Sequence, residues 1–488
     1  MKYPKLMYIF FCLTFFIAVF SCKTTEKSTI TESEPEITVP ISSEPTKPAV
    51  KPEKKENLEL EFANKLKNLL AKNKLDDALK LFNTYDASVT GTENMQNLKL
   101  SILISKNDFE TAKNLANELE TKYPKNTDTL FAQSLLAAVD NNDSKKTSYL
   151  KKIISLEPNN TQALLQLGED SYFNRNYTTA TKYYANVIAL EPKNEDAHIG
   201  LAKVAYMQGD FEKATNSAET VIAINPKNAE AYATLARINF EENKGLQAIQ
   251  NVDKAIKLDN TVMSYYLDKG SYCIRAGRKN DALAAYNKVI QNEPTNYIAY
   301  IYRAGLHDDL GKKDAAIADY TKILELYPDY YFAAEGLGVL YFEKGEYEKA
   351  RLSFIQALEK ASHNSYYALM ATVCYYQLGN PKAGQAFMNK YLPYINRSTN
   401  EEEYFLSRLF VDNTAESDVS NRIGKVQDMT KRYRMKFYLA KFYELVRESK
   451  TAEKLYEEIS ECKYPGFFEY RLVEAELKKR GLAPKTKT

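Results

Sequence analysis

The sequence predicts an all-α chain, a solenoid of about ten 34-residue helix-turn-helix units closed by a helical C-terminal cap, and three observations predict it. The stretch "NVIALEPKNEDA" at 186–197 returns 34 residues later as "TVIAINPKNAEA" at 220–231. Stepping by 34 from Pro192 meets Pro124, Pro158, Pro226, Asn260, Pro294 and Pro328. Small residues hold two further columns. One is Gly168, Ala202, Ala236, Gly270, Ala304 and Gly338; the other is Ala180, Ala214, Ala248, Ala282, Ala316 and Ala350.

Each unit reads as two amphipathic helices that approach closely at the small columns. Four residues after the second column stand Tyr184, Val252, Tyr286, Tyr320 and Phe354, with the smaller Ala218 in the same place. Gly209, Gly277, Gly311, Gly345 and Gly379 mark the turn between the helices, where a helix end favours a left-handed residue. The proline ends the second helix because it offers no N–H to continue it. One hairpin cannot hide its apolar face, so successive hairpins must stack. The registers are 59–92, 93–126, 127–160, 161–194, 195–228, 229–262, 263–296, 297–330, 331–364 and 365–398. Register 127–160 is degraded, with Lys146 in the alanine column, and the last carries Gly384 there. From Thr399 the spacing lapses. Residues 399–488 keep helical periodicity, with Ala440, Ala452 and Tyr456 placed as in one more divergent repeat. "EYRLVEAELKKRG" at 469–481 reads as a capping helix with a polar outer face, and Lys431, Arg432, Arg434 and Lys436 as a solvated face of that cap.

The length of 488 residues exceeds one ordinary core, which a repeat array does not need. Lys and Arg number 66 against 64 Asp and Glu, so no global field draws the chain onto nucleic acid or an anionic surface. Thirty-seven tyrosines, no tryptophan and few glycines suit a helical protein rich in amphipathic aromatics. Residues 1–22 have the order of a signal peptide: Lys2 and Lys5, an apolar run from Leu6 to Phe20, then Ser21-Cys22. That run is shorter than a span of the roughly 30 Å hydrocarbon core. Residues 23–57, rich in Thr, Ser, Glu, Pro and Lys, read as a disordered linker. Cys273, Cys374 and Cys462 show neither disulfide nor metal spacing and read as buried thiols.

Two resemblances add to this. Val19-Phe20-Ser21-Cys22 resembles a bacterial lipobox, which implies lipidation of Cys22; a plain cleaved signal and an uncleaved anchor are the alternatives. Lys23, where an Asp is absent, then fits sorting to the outer membrane, facing the periplasm. "YNKVIQNEPTNYIAYIYRAGLHDDLGKKDAAIADYTKILELYPDY" at 286–330 resembles the tetratricopeptide repeat nearly end to end, and the likeness extends over 340 of the 488 residues. Its signature tryptophan column holds Leu164, His198, Tyr232, Tyr266 and Tyr300 instead. The resemblance implies a right-handed α-α superhelix in which the first helix of each unit lines the concave face. On that face it places Tyr172, Tyr206, Phe240, Ile274, Phe342 and Tyr376, with Glu169, Lys203, Arg237 and Ser271 in a parallel column. Tyr172, Lys203, Tyr206, Arg237, Phe240, Ile274, Phe342 and Tyr376 are the candidate binding residues, because aromatic anchors and Arg dominate interface energetics. The Lys and Asn pair with which cochaperones of this fold grip a C-terminal carboxylate occurs in no unit.

Catalysis has little footing. His198 and His307 occupy packing columns, His363 stands alone, and no nucleophile elbow, Walker loop, dinucleotide fingerprint or HExxH motif is present. Asp308 and Asp309 near the concave face suit a cation or basic peptide, but adjacent residues diverge by about 100° on a helix and make no acid–base dyad. The expectation is a non-enzymatic bacterial envelope lipoprotein without cofactor or metal. It would act as an adaptor or assembly scaffold that binds another envelope protein or peptide segment. The alternative is a periplasmic receptor for a solute or glycan, served by the tyrosine faces and favoured by a closed pocket.

Overall fold

The structure, a computed structural model, describes residues 52–413, 416–445, 449–462 and 466–482. The expected signal peptide, Cys22 and residues 23–51 of the expected linker lie outside the described residues. The first helix, Pro52–Ala71, begins inside the stretch assigned to that linker. A proline suits the first helical position, where its missing N–H costs nothing and its φ is already helical.

The chain forms two compact units, 1–238 and 239–488. In the first, helices pair in series: Glu93–Ser105 with Phe109–Lys122, Thr127–Val139 with Asp143–Leu156, Thr161–Phe173 with Tyr177–Leu190, and Glu195–Met207 with Phe211–Ile224. The second unit repeats the plan in Met263–Arg275 with Lys279–Asn292, Tyr297–Asp309 with Lys313–Leu326, Tyr331–Glu343 with Tyr347–Lys360, and Ser365–Gln377 with Pro381–Tyr391. No strand occurs among the described residues. Each unit is therefore an all-α stack of repeats.

A backbone signature runs through both units. Residues in the left-handed region recur every 34 positions, as Asn73, Asn107, Asn141, Arg175 and Gly209 in the first unit and Asn243, Gly277, Gly311, Gly345 and Gly379 in the second. Where the turn glycine is missing, asparagine takes its place in every case but one, because its short polar side chain tolerates that conformation. Caps complete the punctuation. Asn194 Oδ1 accepts from the Ala197 N–H at 2.9 Å, and Asn228 does the same for Ala231 at 2.9 Å. The recurring Pro-Xaa-Asn thus ends one helix and starts the next.

Packing explains the glycine column. A Cβ on Gly168 would lie 2.7 Å from the Tyr184 ring, and one on Gly270 would lie 2.3 Å from the Tyr286 ring. The tyrosine of the second helix needs the space a methyl would occupy; where the sequence has Ala218 there, the first helix carries Ala202. The degraded register is held by polar contacts. Lys146 Nζ lies 2.5 Å from Asp170 Oδ1, with both side chains mostly buried. Thr129 and Asn126 bond to Asn97, and Gln133 to Asn117 and Glu120.

In the second unit the chain continues through Glu401–Asp412, Glu416–Lys425, Met429–Leu445, Ser449–Ser460 and Glu469–Lys479. Met429–Leu445 and Ser449–Ser460 pair as a divergent repeat, with Ala440, Ala452 and Tyr456 fully buried. The last helix keeps the expected polar outer face at Glu474, Lys478 and Lys479. Its inner face, Glu469, Leu472, Val473 and Leu477, joins a core shared with Phe342, Phe354 and Tyr367. It therefore packs onto the repeats of its own unit as well as closing their end.

Candidate interaction face

The columns expected on the concave face have different fates in the two units. In the first, Tyr172 lies at the end of Thr161–Phe173, half-buried, its ring 5.5 Å from Phe173 and 6.1 Å from Tyr177. Tyr206 stands equivalently, half-buried and 6.0 Å from Phe211. Each ring touches the first aromatic of its own second helix, so part of its area serves the repeat. Lys203, half-buried between them in sequence, pairs with Glu230 at 2.5 Å, and Arg237 is half-buried as well. One position beyond the tyrosines, Phe173 and Met207 are 62% and 47% exposed. Sequence reasoning stopped at the tyrosines and missed these two, although the 34-residue spacing places them in one column.

In the second unit most of the column is engaged within the unit. The Phe240 ring lies 4.6 Å from Tyr272, and the Arg275 guanidinium covers it at 4.2 Å while donating to the Phe240 carbonyl. Ile274 remains exposed. Phe342 is only 6% exposed, because Tyr347 packs at its edge and the Lys441 ammonium sits 5.5 Å from its ring. Tyr376 donates its hydroxyl to the Phe410 carbonyl at 2.9 Å. Phe342 is therefore not a partner-facing residue, because the C-terminal helices of the same unit cover it, while Tyr376 stays half-buried against Phe410.

The charges follow the same logic. Arg471, from the last helix, bonds to Asp308 and to Glu343, with Nη2 to Glu343 Oε2 at 2.7 Å. The carboxylate expected to receive a basic peptide thus receives an arginine of its own chain, while Asp309 points to Lys279 at 4.0 Å. Burial alone would raise the Glu343 carboxyl, but the bonds from Arg471 and Lys313 outweigh it and hold it below the usual range. The basic run is not a uniform solvated face. Lys431 pairs with Glu403 at 3.2 Å and Lys436 with Glu458 at 2.5 Å, and Arg434 is drawn inside to the fully buried Glu469 at 2.8 and 2.9 Å. Arg434 is mostly buried, and its guanidinium also sits over Tyr366, 3.8 Å from the ring centre.

His307 is mostly buried, and burial lowers its pKa; His198 lies 3.0 Å from the Pro192 carbonyl. Cys273, Cys374 and Cys462 are free and buried, with burial pushing the Cys273 and Cys374 thiols up. Among the described residues no group of three or more His, Cys, Asp or Glu is disposed to hold a metal, and no helix is long and apolar enough to cross a membrane.

Family models of the tetratricopeptide repeat match residues 174–238 in the first unit and residues 267–331 and 306–366 in the second. The chain contains tetratricopeptide repeats. Such proteins typically act by binding a peptide or another protein. No curated protein sequence matches this tetratricopeptide-repeat chain. Among solved structures it is similar to MamA, at 26% identity over 33% of this chain and 95% of that one, with a TM-score of 0.32. A tetratricopeptide repeat protein from Parabacteroides merdae is similar at 21% identity, over 50% and 97% of the two chains, with a TM-score of 0.37. PilW, described as a type IV pilus biogenesis factor, is similar at 15% identity, over 41% and 94%, with a TM-score of 0.38.

Proposed function

We propose that this protein is an interaction scaffold of a bacterial envelope, tethered through a lipidated Cys22 to the outer membrane on its periplasmic side. The partner-binding face would be the edge of the first unit at Tyr172, Phe173, Lys203, Tyr206 and Met207. The observation that carries this reading is the exposure of Phe173 and Met207 beside the two tyrosines, one repeat apart, since large apolar side chains exposed in register favour a partner over water. Of the matching positions of the second unit, Phe342 is already spent on its own C-terminal helices. Support for the tether is the charge, apolar run and cysteine of residues 1–22. Several acyl chains at about 0.8 kcal/mol per buried methylene would anchor the protein stably.

Native mass spectrometry of the full-length protein, gently extracted from its own membrane, tests the reading. The expected result is a bound species of tens of kilodaltons that is lost from the Phe173→Glu, Met207→Glu double variant. A species retained at full occupancy by the folded variant would place the face elsewhere. Cys22→Ala should move the protein from the membrane to the soluble fraction; unchanged membrane retention would reject the lipid tether.

A further inference from the structure

The second unit contains a cavity of about 240 Å³ walled by Tyr331, Phe332 and Glu335 of one repeat, Tyr367 of the next, and Arg434 and Phe468 of the C-terminal region. Its aromatic walls are continuous. Phe332 stacks on Tyr331 at 4.3 Å, Tyr331 lies 6.4 Å from Tyr367, and Tyr367 stacks on Phe468 at 6.1 Å. Phe332 forms the rim, 51% exposed.

Glu335 is the one carboxylate among the lining residues. Its Oε2 accepts the Tyr367 hydroxyl at 2.5 Å, and among the described residues it enters no ion pair. Burial raises its carboxyl; the Tyr367 bond and the Arg434 charge pull it back in part, and the nearby Glu469 adds to the rise. Arg434, which lines the same wall with His363, makes no ion pair with it and gives its Nε to both Glu469 oxygens within 3 Å. A half-buried carboxylate in no ion pair is costly to maintain, and a ligand that brings a positive charge into contact reduces that cost. The aromatic faces around it are themselves electron-rich and attract cations. At roughly 30 Å³ for a group the size of water, the volume admits a short alkyl chain with its headgroup.

We propose that this cavity binds an organic cation, an alkylammonium group seated against Tyr331, Phe332 and Tyr367 with its charge on Glu335. The headgroup is the same whether it arrives as a free amine or on a lysine side chain. The site is separate from the partner face of the first unit and does not depend on it.

Calorimetric titration of the full-length protein with butylammonium chloride and with N-acetyl-lysine methylamide, and with butanol as the neutral control, tests this. Saturable binding of the cations and none of butanol is expected. Glu335→Gln preserves the shape and an acceptor for Tyr367, and should weaken binding about tenfold or more, since it removes a charge-assisted contact. Phe332→Ala, at the exposed rim where folding is not at stake, should weaken it severalfold. Tighter binding of N-acetyl-lysine methylamide than of butylammonium assigns the site to a peptide side chain; the reverse order assigns it to a free amine. No saturable heat with folded wild-type protein at millimolar amine, or equal affinity in Glu335→Gln, would overturn the proposal.

Discussion

At the scale of single residues, the repeat is governed by a few positions where backbone or volume leaves little choice. The left-handed turn column holds Gly or Asn at nine of its ten positions, and Arg175 at the tenth with φ of 59°. An L residue with a long side chain there costs about 1–2 kcal/mol relative to a right-handed conformation, a cost glycine escapes. Arg175→Gly should therefore stabilise the protein by about 0.5–1 kcal/mol, seen as a higher urea midpoint. A lower midpoint would mean that the arginine side chain contributes more than its backbone costs. The glycines of this column were legible in the sequence as turn markers. The asparagines were not, because asparagine is ordinary on a polar surface and only the φ angle distinguishes its role.

At the scale of helices, the position before each second helix is capped unevenly. In the first unit, Asp108, Asn142, Asn176 and Asp210 each accept a backbone N–H there, while Lys74 makes no side-chain cap bond. In the second, Lys244, Arg278, Lys312 and Glu346 hold that position with no side-chain cap bond, and Asn380 accepts the Ala383 N–H. A lysine there leaves a helix N–H unanswered and adds positive charge to the positive end of the helix dipole. Removing a cap in the first unit by Asn194→Ala should cost about 1 kcal/mol, and adding one by Lys312→Asp should gain a comparable amount. Both are checked by the denaturant midpoint. An unchanged midpoint for both would show that stacking against neighbouring helices sets helix stability here and that end groups do not. The cap residue was visible in the Pro-Xaa-Asn pattern, whose proline alone was read as the signal.

At the scale of the whole molecule, the last helix of the second unit binds back onto earlier repeats of that unit. Arg471 reaches residues more than a hundred positions earlier in the chain, Asp308 and Glu343, and Glu343 is 95% shielded from solvent. Arg471→Ala should destabilise the protein by about 1–3 kcal/mol at neutral pH, because a buried carboxylate loses a hydrogen-bonded partner. The folded Glu343 carboxyl lies below its unfolded value. The stability tied to its charge is therefore fully present above the ordinary glutamate range and is lost as the pH falls through the depressed value. The gap in stability between wild type and Arg471→Ala should close on acidification; a gap that persists into strong acid would assign the loss to packing instead of charge.

The sequence by itself determined the repeat: its length, its helix-turn-helix unit, the places where helices approach, and the columns that face one way. Those properties are local, because each contact within a hairpin joins residues close in sequence and leaves a periodic trace. Only the tertiary structure decided which parts of those columns remain open. Phe342 looks like Tyr172 and Tyr206 in sequence, and its burial depends on C-terminal helices whose register with the repeats has no periodic signal. The same holds for Arg434, which reads as one charge in a basic run and is drawn inward by Glu469, thirty-five residues away and fully buried. A long-range pair of this kind is set by the packing of whole helices, and one chain carries no mark of it until those helices have met.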